Sequence, residues 1–173
     1  MRIPSVPEVR TLEPAIGPAL RVRPLRHGEA RTVMRLFERL SERSRRARFN
    51  GAKPCLSRSE LRRLASIDRD RHALVAYADG DPEPVAIARL VRDGCSAEVA
   101  FAVADEYQRH GIGSALVAEL VADARAAGIT EISGLVARDN SAALTILRRV
   151  GRVLAVRFEG PDISIRAAIA DCA

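Results

Sequence analysis

The chain has 173 residues, which fits one domain with a hydrophobic core of its own. Hydrophobic residues make up 47% of the chain, but aromatic residues make up only 3%, which argues against stacking platforms for single-stranded nucleic acid. The net charge of +6 suits an anionic ligand, an acidic partner or nucleic acid. The arginines are spread along most of the chain, however, as a simple compositional bias also produces.

Cysteine spacing and hydropathy narrow the setting. Cys55, Cys95 and Cys172 lie far apart without a Cys-x-x-Cys pair, so neither a disulfide framework nor a metal site is predicted. We therefore expect a reduced, cytoplasmic environment. No apolar run approaches about 18 residues, and the N-terminus lacks the apolar core of a secretion signal, so we predict no membrane contact.

The N-terminal part predicts an arm, a strand and two helices. Four prolines within residues 1–19 disfavour helix and strand pairing, so we predict an extended or poorly ordered arm. Residues 20–25 alternate as a strand, and residues 29–43 show the apolar spacing of a helix. A cationic stretch follows at residues 43–50, and residues 57–60, Ser-Arg-Ser-Glu, predict a capping box that starts the second helix.

The rest of the chain alternates strands and helices. We predict strands over residues 72–77, 85–91 and 97–103, a helix over 112–127, a strand over 129–136, a helix from Asp139 or Asn140 to 150, and strands over 153–158 and 163–169. This order predicts an α/β fold: a single domain with a mixed, mostly antiparallel sheet flanked by helices.

The segment 108–114, Gln-Arg-His-Gly-Ile-Gly-Ser, joins an apolar strand to an amphipathic helix. The first N–H groups of a helix lack intrahelical partners and carry the positive end of its dipole. Because Gly111 and Gly113 have no Cβ, a diphosphate can approach the backbone closely. The segment therefore predicts a nucleotide-containing cofactor held by its pyrophosphate, although a tight turn without a ligand has the same pattern.

The surrounding residues separate the cofactor classes. A dinucleotide fold needs a third glycine, where this chain has Leu116, and an acidic residue about 20 positions further on, which is missing. From Val103 to Leu116 the chain closely resembles instead the acetyl-CoA signature of the GCN5-related N-acetyltransferase (GNAT) superfamily. The resemblance covers about residues 20–170 and implies the acyl-CoA N-acyltransferase fold, with acetyl-CoA as cosubstrate. The cofactor-binding residues it implies are Val103, Gln108, Arg109, His110, Gly111, Ile112, Gly113, Ser114 and Asn140.

Looser motifs narrow the resemblance. Residues 23–29, 37–49 and 56–61 look like the acetyltransferase domain of bacterial protein lysine acetyltransferases that modify acyl-CoA synthetases. This implies a protein lysine as the acetyl acceptor. The run from Arg43 to Arg48 then either lines a groove for an acidic protein surface or forms the solvated end of a helix.

Acetyl transfer requires a neutral amine, whereas the pKa of a lysine lies about 3 units above neutral pH. A positioned carboxylate can take the proton as the amine attacks. Glu98 is our candidate: it lies on the strand before the glycine turn, on one face with Ala100 and Ala102, and the resemblance implies that it is the general base. The alternative is an exposed structural glutamate paired with Arg89 or Arg92.

The last predicted helix departs from the superfamily pattern. Many members carry a tyrosine general acid where this chain has Leu147, which cannot donate a proton. A thiol with a pKa of about 8.5 is a tolerable leaving group as its thiolate, so activity does not require that acid. We expect Asn140 to cap this helix and to contact the pantetheine arm, and we expect backbone groups near Val103 to align that arm.

Three functions follow. The first is an acetyl-CoA-dependent N-acetyltransferase that acts on a protein lysine by direct attack. A small-molecule amine is the second possible acceptor, and a non-catalytic acyl-CoA-binding regulatory module is the third function. We expect no nucleic-acid partner, and a homodimer is left open.

Overall fold

The computed structural model describes residues 9–14 and 16–169, which form one eight-stranded sheet and five α-helices. The strands are β1 (Arg10–Leu12), β2 (Leu20–Pro24), β3 (Arg71–Ala78), β4 (Ala86–Asp93), β5 (Ser96–Val103), β6 (Glu131–Ala137), β7 (Arg152–Glu159) and β8 (Asp162–Ala168). The helices are α1 (Ala30–Glu38), α2 (Glu42–Phe49), α3 (Arg58–Leu64), α4 (Ile112–Ala126) and α5 (Ser141–Arg149).

The strand order in the sheet is β1-β2-β3-β4-β5-β6-β8-β7. All neighbouring pairs are antiparallel except β5 and β6, which are parallel. The parallel pair arises because α4 carries the chain across the sheet between β5 and β6, whereas short turns connect most of the antiparallel neighbours. The predicted α/β fold with a mixed, mostly antiparallel sheet is confirmed.

Helices cover both faces of the sheet. Successive side chains of a strand point to opposite faces, and the central strands place apolar side chains on both. On one face, α4 buries Leu116, Val117 and Leu120 against β3, β4 and β5. On the other face, α1 and α3 cover β3 and β4 through a second core that includes Phe37 and Leu56. The strand that carries Glu98 is thus held between two packed layers.

The predicted helix over residues 29–43 is wrong in its extent. α1 ends at Glu38, and α2 begins at Glu42, directly before the cationic stretch, and runs through most of it. Ser41 separates the two helices, because its hydroxyl accepts the N–H of Ser44 at 3.3 Å and caps the start of α2. Asn50 closes α2 in the left-handed conformation, at φ 52°.

The predicted arm contains a strand that the sequence did not indicate. β1 pairs with β2 in an antiparallel register that places Arg10 opposite Val22. Proline is absent from residues 9–13, so this stretch can form ladder hydrogen bonds. Residues 1–8, 15 and 170–173, with Cys172, lie outside the described residues, and the predicted domain boundaries at residues 19 and 170 stay predictions.

The structure confirms the predicted capping box and the predicted turns at Gly94 and Gly128. The capping box at Ser57 and Glu60 is present in both directions and starts α3. Gly94 turns the hairpin between β4 and β5 at φ 61°, and Gly128 follows the end of α4 at φ 77°. Within the described ranges, none of the helices has the length and apolarity that a bilayer crossing requires.

Candidate active site

The parallel strands β5 and β6 separate after a short contact. They pair only at Ser96–Glu131, Ala97–Ile132 and Glu98–Ser133, although β5 continues to Val103 and β6 to Ala137. Beyond Glu98 the two strands leave a wedge with backbone amide groups along its sides. A slender ligand with amide groups of its own can pair with such strand edges.

The start of α4 provides the anion-binding geometry that the glycine turn predicts. Gly111 is the N-cap at φ 75°, and no side chain within residues 9–14 and 16–169 caps the helix. The Ala115 N–H donates to the Gly111 carbonyl at 3.0 Å, so the N–H groups of Ile112, Gly113 and Ser114 precede this bond of the helix. These groups are the ones that a diphosphate can engage.

Gly113 brings the start of α4 against the wedge. A Cβ at this position would lie 3.3 Å from the Ile146 side chain and 3.4 Å from the Val103 side chain. A larger residue would push α4 away from β5 and α5. The close approach places the free N–H groups beside the unpaired end of β5, so one extended ligand can reach both.

Gln108 and Arg109 have different surroundings. The Gln108 amide donates to the Val103 carbonyl at 3.1 Å and to the Ser44 hydroxyl at 3.0 Å, which fastens the turn to β5 and α2. Arg109 is exposed and adopts φ 65°, a conformation that is uncommon for a residue with a Cβ. Its side chain is therefore free to approach a phosphate from solvent.

His110 is partly buried beneath the N-terminal segment. A Cβ on Gly17 would lie 2.8 Å from the His110 Cβ, so only glycine fits this contact. The His110 Nδ1 is buried and lacks a hydrogen-bond partner among residues 9–14 and 16–169. The segment before β2 thus rests on the glycine turn.

Glu98 occupies the apex of the wedge. It is the last β5 residue paired with β6, and it shares a face with Ala100 and Ala102 because the β4–β5 register has no shift. The Glu98 carboxylate is exposed, and among the described residues it forms no ion pair with Arg89 or Arg92. The structural pairing weighed as its alternative role is absent there.

The two arginines have other partners. The Arg89 guanidinium donates to the carbonyls of Arg63 at 3.1 Å and Ser66 at 3.2 Å, and Arg92 donates to the Gly94 carbonyl at 2.7 Å. Both side chains are occupied in holding backbone, so the Glu98 carboxylate can accept a proton or a hydrogen bond from a ligand.

α5 places Asn140 and Leu147 at different depths. The Asn140 side chain accepts the Ala143 N–H at 3.1 Å, which confirms its role as the N-cap. Leu147 is only 2% exposed and packs on Gly134 of β6, where an added Cβ would lie 2.7 Å from a Leu147 methyl group. Leu147 is a core residue, so this position supplies no hydroxyl near the wedge.

Asp105 is a site residue that the sequence analysis missed. Its carboxylate accepts the Gln108 amide at 2.8 Å, and it also accepts the Ser41 N–H and the Ser44 hydroxyl. Burial alone would raise the pKa of Asp105, but these hydrogen bonds outweigh it and lower the pKa. Because Ser44 lies 61 residues away in sequence, no local pattern could reveal this link between α2 and the glycine turn.

A comparison with protein families decides the relationship. The model of the Acetyltransferase (GNAT) family matches residues 35–151. The chain belongs to this family. The match includes α2, Glu98, the glycine turn and Asn140, so it covers the elements that form the wedge.

Individual relatives agree with the GNAT assignment. Acetyltransferase Pat of Mycolicibacterium smegmatis is 39% identical over 101 residues, which cover 56% of this chain and 30% of the relative. The solved GNAT domain of S. lividans PAT matches with a TM-score of 0.82 at 27% identity, and covers 92% of this chain and 96% of that domain.

A second solved structure shows the size difference. The cAMP-binding acyltransferase from Mycobacterium smegmatis matches with a TM-score of 0.65 at 27% identity, over 94% of this chain but 48% of that protein. This GNAT chain therefore spans about half of that protein and less than a third of the curated relative that it matches.

Proposed function

We propose that this chain is an acetyl-CoA-dependent N-acetyltransferase that acetylates a protein lysine, with Glu98 as the general base. The observation that carries the proposal is the position of Glu98 at the apex of the wedge between β5 and β6. A thioester at the inner end of a ligand in that wedge would lie beside a free carboxylate. The resemblance to bacterial protein lysine acetyltransferases supports lysine as the acceptor.

The residues present suit acetyl-CoA. The N–H groups of Ile112, Gly113 and Ser114 suit its diphosphate, with Arg109 adding positive charge from solvent. The unpaired edge of β5 near Val103 suits the amide groups of the pantetheine arm. Asn140 can contact the same arm only with the part of its side chain that does not cap α5.

The reaction is a direct transfer. The amine nitrogen forms a bond to the thioester carbonyl carbon, and the carbon–sulfur bond breaks. Glu98 takes the proton that the amine loses, directly or through a water molecule. At pH 7, deprotonation of a free lysine costs about 4–5 kcal/mol, so a base at the point of attack matters.

The thiol leaves without help from α5. Because Leu147 is buried, the wedge has no hydroxyl at the position where many members of the superfamily carry a tyrosine. The thiol has a pKa of about 8.5, so it leaves as the thiolate anion and then takes its proton from water. We expect a backbone N–H near Val103 to donate to the developing oxyanion.

Glu98→Gln tests the base. We expect kcat to fall by about 10²–10⁴-fold, while the dissociation constant of acetyl-CoA stays unchanged, because the amide cannot accept the proton. Glu159→Gln is the matched control, since Glu159 is exposed at the end of β7, outside the wedge. Unchanged turnover in Glu98→Gln would exclude Glu98 as the base.

A non-catalytic acyl-CoA-binding module is the second candidate, and the buried Leu147 favours it. Calorimetric titration with acetyl-CoA, combined with CoA release on lysine peptides and small amines, separates the candidates. Binding with acetyl transfer to peptides supports the first proposal. Transfer to small amines alone would mean that the acceptor is a small-molecule amine instead of a protein lysine. Binding without transfer favours the module. We place the reaction in the cytoplasm as part of the proposal.

A further inference from the structure

A narrow pocket of about 40 Å³ lies between the helices α1, α2 and α3 and the sheet, with room for roughly three water molecules. Its walls are mostly apolar. The lining residues are Val33, Leu36, Phe37, Leu40, Arg48, Phe49, Leu56, Leu64, Ala73, Ile87, Arg89 and Ala102. The pocket thus suits a small group rather than a long chain.

Of the residues that the structure describes, Arg48 and Arg89 are the only charged ones that line this pocket. The Arg89 guanidinium is committed to backbone carbonyls at the end of α3, including that of Leu64. It fixes α3 on the sheet and has a structural role. Among the described residues, no carboxylate lines the pocket.

Arg48 differs from Arg89. It lies in the last turn of α2, partly buried, with its guanidinium 5.1 Å from the Phe49 ring centroid. Among the described residues, the Arg48 guanidinium forms neither a hydrogen bond nor an ion pair. Burial and the nearby charge of Arg89 lower the pKa of Arg48 to about 10, and the charge of Glu98 offsets this only in part.

The pocket and the proposed base share one face of the sheet. Arg89 lies opposite Ala100, and Glu98 is the next residue of β5 on that face, opposite Val91. Arg89 and Glu98 are therefore diagonal neighbours, and the Cα atoms of such a pair lie about 7–8 Å apart. A substrate amine at Glu98 can therefore carry a second group into the pocket.

We propose that this pocket binds a carboxylate of the acetyl acceptor, with Arg48 as the specificity residue. The inference rests on the proposed function, because it places the acceptor amine at Glu98. A planar guanidinium binds a carboxylate through two parallel hydrogen bonds, and desolvation by the apolar walls strengthens the pair. The acceptor is then an amine with a nearby negative charge, matched by Glu98 and Arg48.

Two sources supply this chemistry: the main-chain carboxylate of a free amino acid, and an acidic side chain beside a lysine in a protein. Two pairs of acceptors separate them. One pair is lysine and lysinamide, and the other is a lysine peptide with a neighbouring Glu and the same peptide with Gln, both amidated at the C-terminus. The favoured pair identifies the source.

For the favoured pair, we expect kcat/KM to be at least about tenfold higher for the carboxylate member, as a charge-assisted hydrogen bond predicts. Arg48→Gln brings this ratio close to one. Arg46→Gln, an exposed arginine on the same helix, keeps the wild-type ratio and is the matched control. Circular dichroism verifies that both variants are folded.

The outcomes are distinct. Turnover of the lysine peptides by the wild type, without a carboxylate preference in either pair, overturns the pocket assignment and leaves the proposed function intact. A preference that survives in Arg48→Gln also overturns it. A wild type that acetylates no amine overturns the proposed function, and this inference with it.

Discussion

Arg10 Nη2 lies 2.6 Å from Asp123 Oδ1, which joins the first strand of the sheet to a helix 113 residues later. The second carboxylate oxygen of Asp123 lies 2.9 Å from His72 Nε2 of β3. Arg10 also donates to Glu119 at 2.6 Å. One buried carboxylate thus connects β1, β3 and α4 on the face where α4 covers the sheet.

We expect Asp123→Asn to lower the free energy of unfolding by about 3 kcal/mol, because it leaves Arg10 and His72 without a buried anion. Glu119→Gln is the control. Its side chain is 30% exposed and shares the same arginine, so we expect a loss of at most about 1 kcal/mol. Urea denaturation measures both, and equal losses would contradict the assigned role of Asp123.

The same prediction has a pH dependence. Burial would raise the pKa of Asp123, but the hydrogen bonds from His72 and Arg10 outweigh it and lower the pKa. A carboxylate with a lowered folded-state pKa stabilises the protein above its unfolded pKa of about 3.9, and this contribution is lost as pH falls through the folded pKa. The difference between wild type and Asp123→Asn should therefore narrow below about pH 4.

Gly111→Ala separates cofactor binding from stability. A residue with a Cβ pays about 1–2 kcal/mol in the left-handed conformation that Gly111 adopts at φ 75°. Gly80, at φ 81° and with open space around it, is the matched control outside the wedge. We expect similar losses of stability for the two alanine variants. Acetyl-CoA affinity, measured by calorimetry, should fall about tenfold only in Gly111→Ala. Equal acetyl-CoA affinities of the two alanine variants would contradict an anion site at the start of α4.

Leu147→Tyr should fail to restore a general acid. Leu147 is 2% exposed and contacts Gly134, so the larger ring is expected to cost about 1–3 kcal/mol in stability without raising kcat. Leu147→Met keeps the volume and should cost less than about 1.5 kcal/mol. Steady-state kinetics and thermal unfolding of both variants check this. A rise in kcat for the tyrosine variant would place this position in the active site.

The strands were predictable because their patterns are local. β5 alternates small and larger apolar residues up to the glycine turn, and its observed start at Ser96 differs from the predicted start by one residue. The break between α1 and α2 was missed because apolar spacing runs up to Leu40, and the signal is one hydroxyl, that of Ser41. β1 was missed because it is only three residues long, and the Glu119 and Asp123 side chains that Arg10 contacts lie 109 and 113 residues away.

The candidate site divides in the same way. Glu98 and the glycine turn lie close together in sequence, and each has a chemical pattern that can be read there. The pocket that Arg48 and Arg89 line is formed by segments from α1 to β5, and only packing shows that one arginine is committed and the other is free to bind. Sequence alone showed a cationic run without this distinction.

The opening between β5 and β6 leaves five strands on one side and three on the other, joined over three residue pairs. A ligand in that opening would hydrogen-bond to the strand edges that do not pair with each other, so it would hold the two parts of the sheet together as well as react. Occupancy would then be visible as rigidity: amide hydrogen exchange along residues 99–103 should slow when acetyl-CoA is added. The melting temperature should rise with ligand concentration for the same reason.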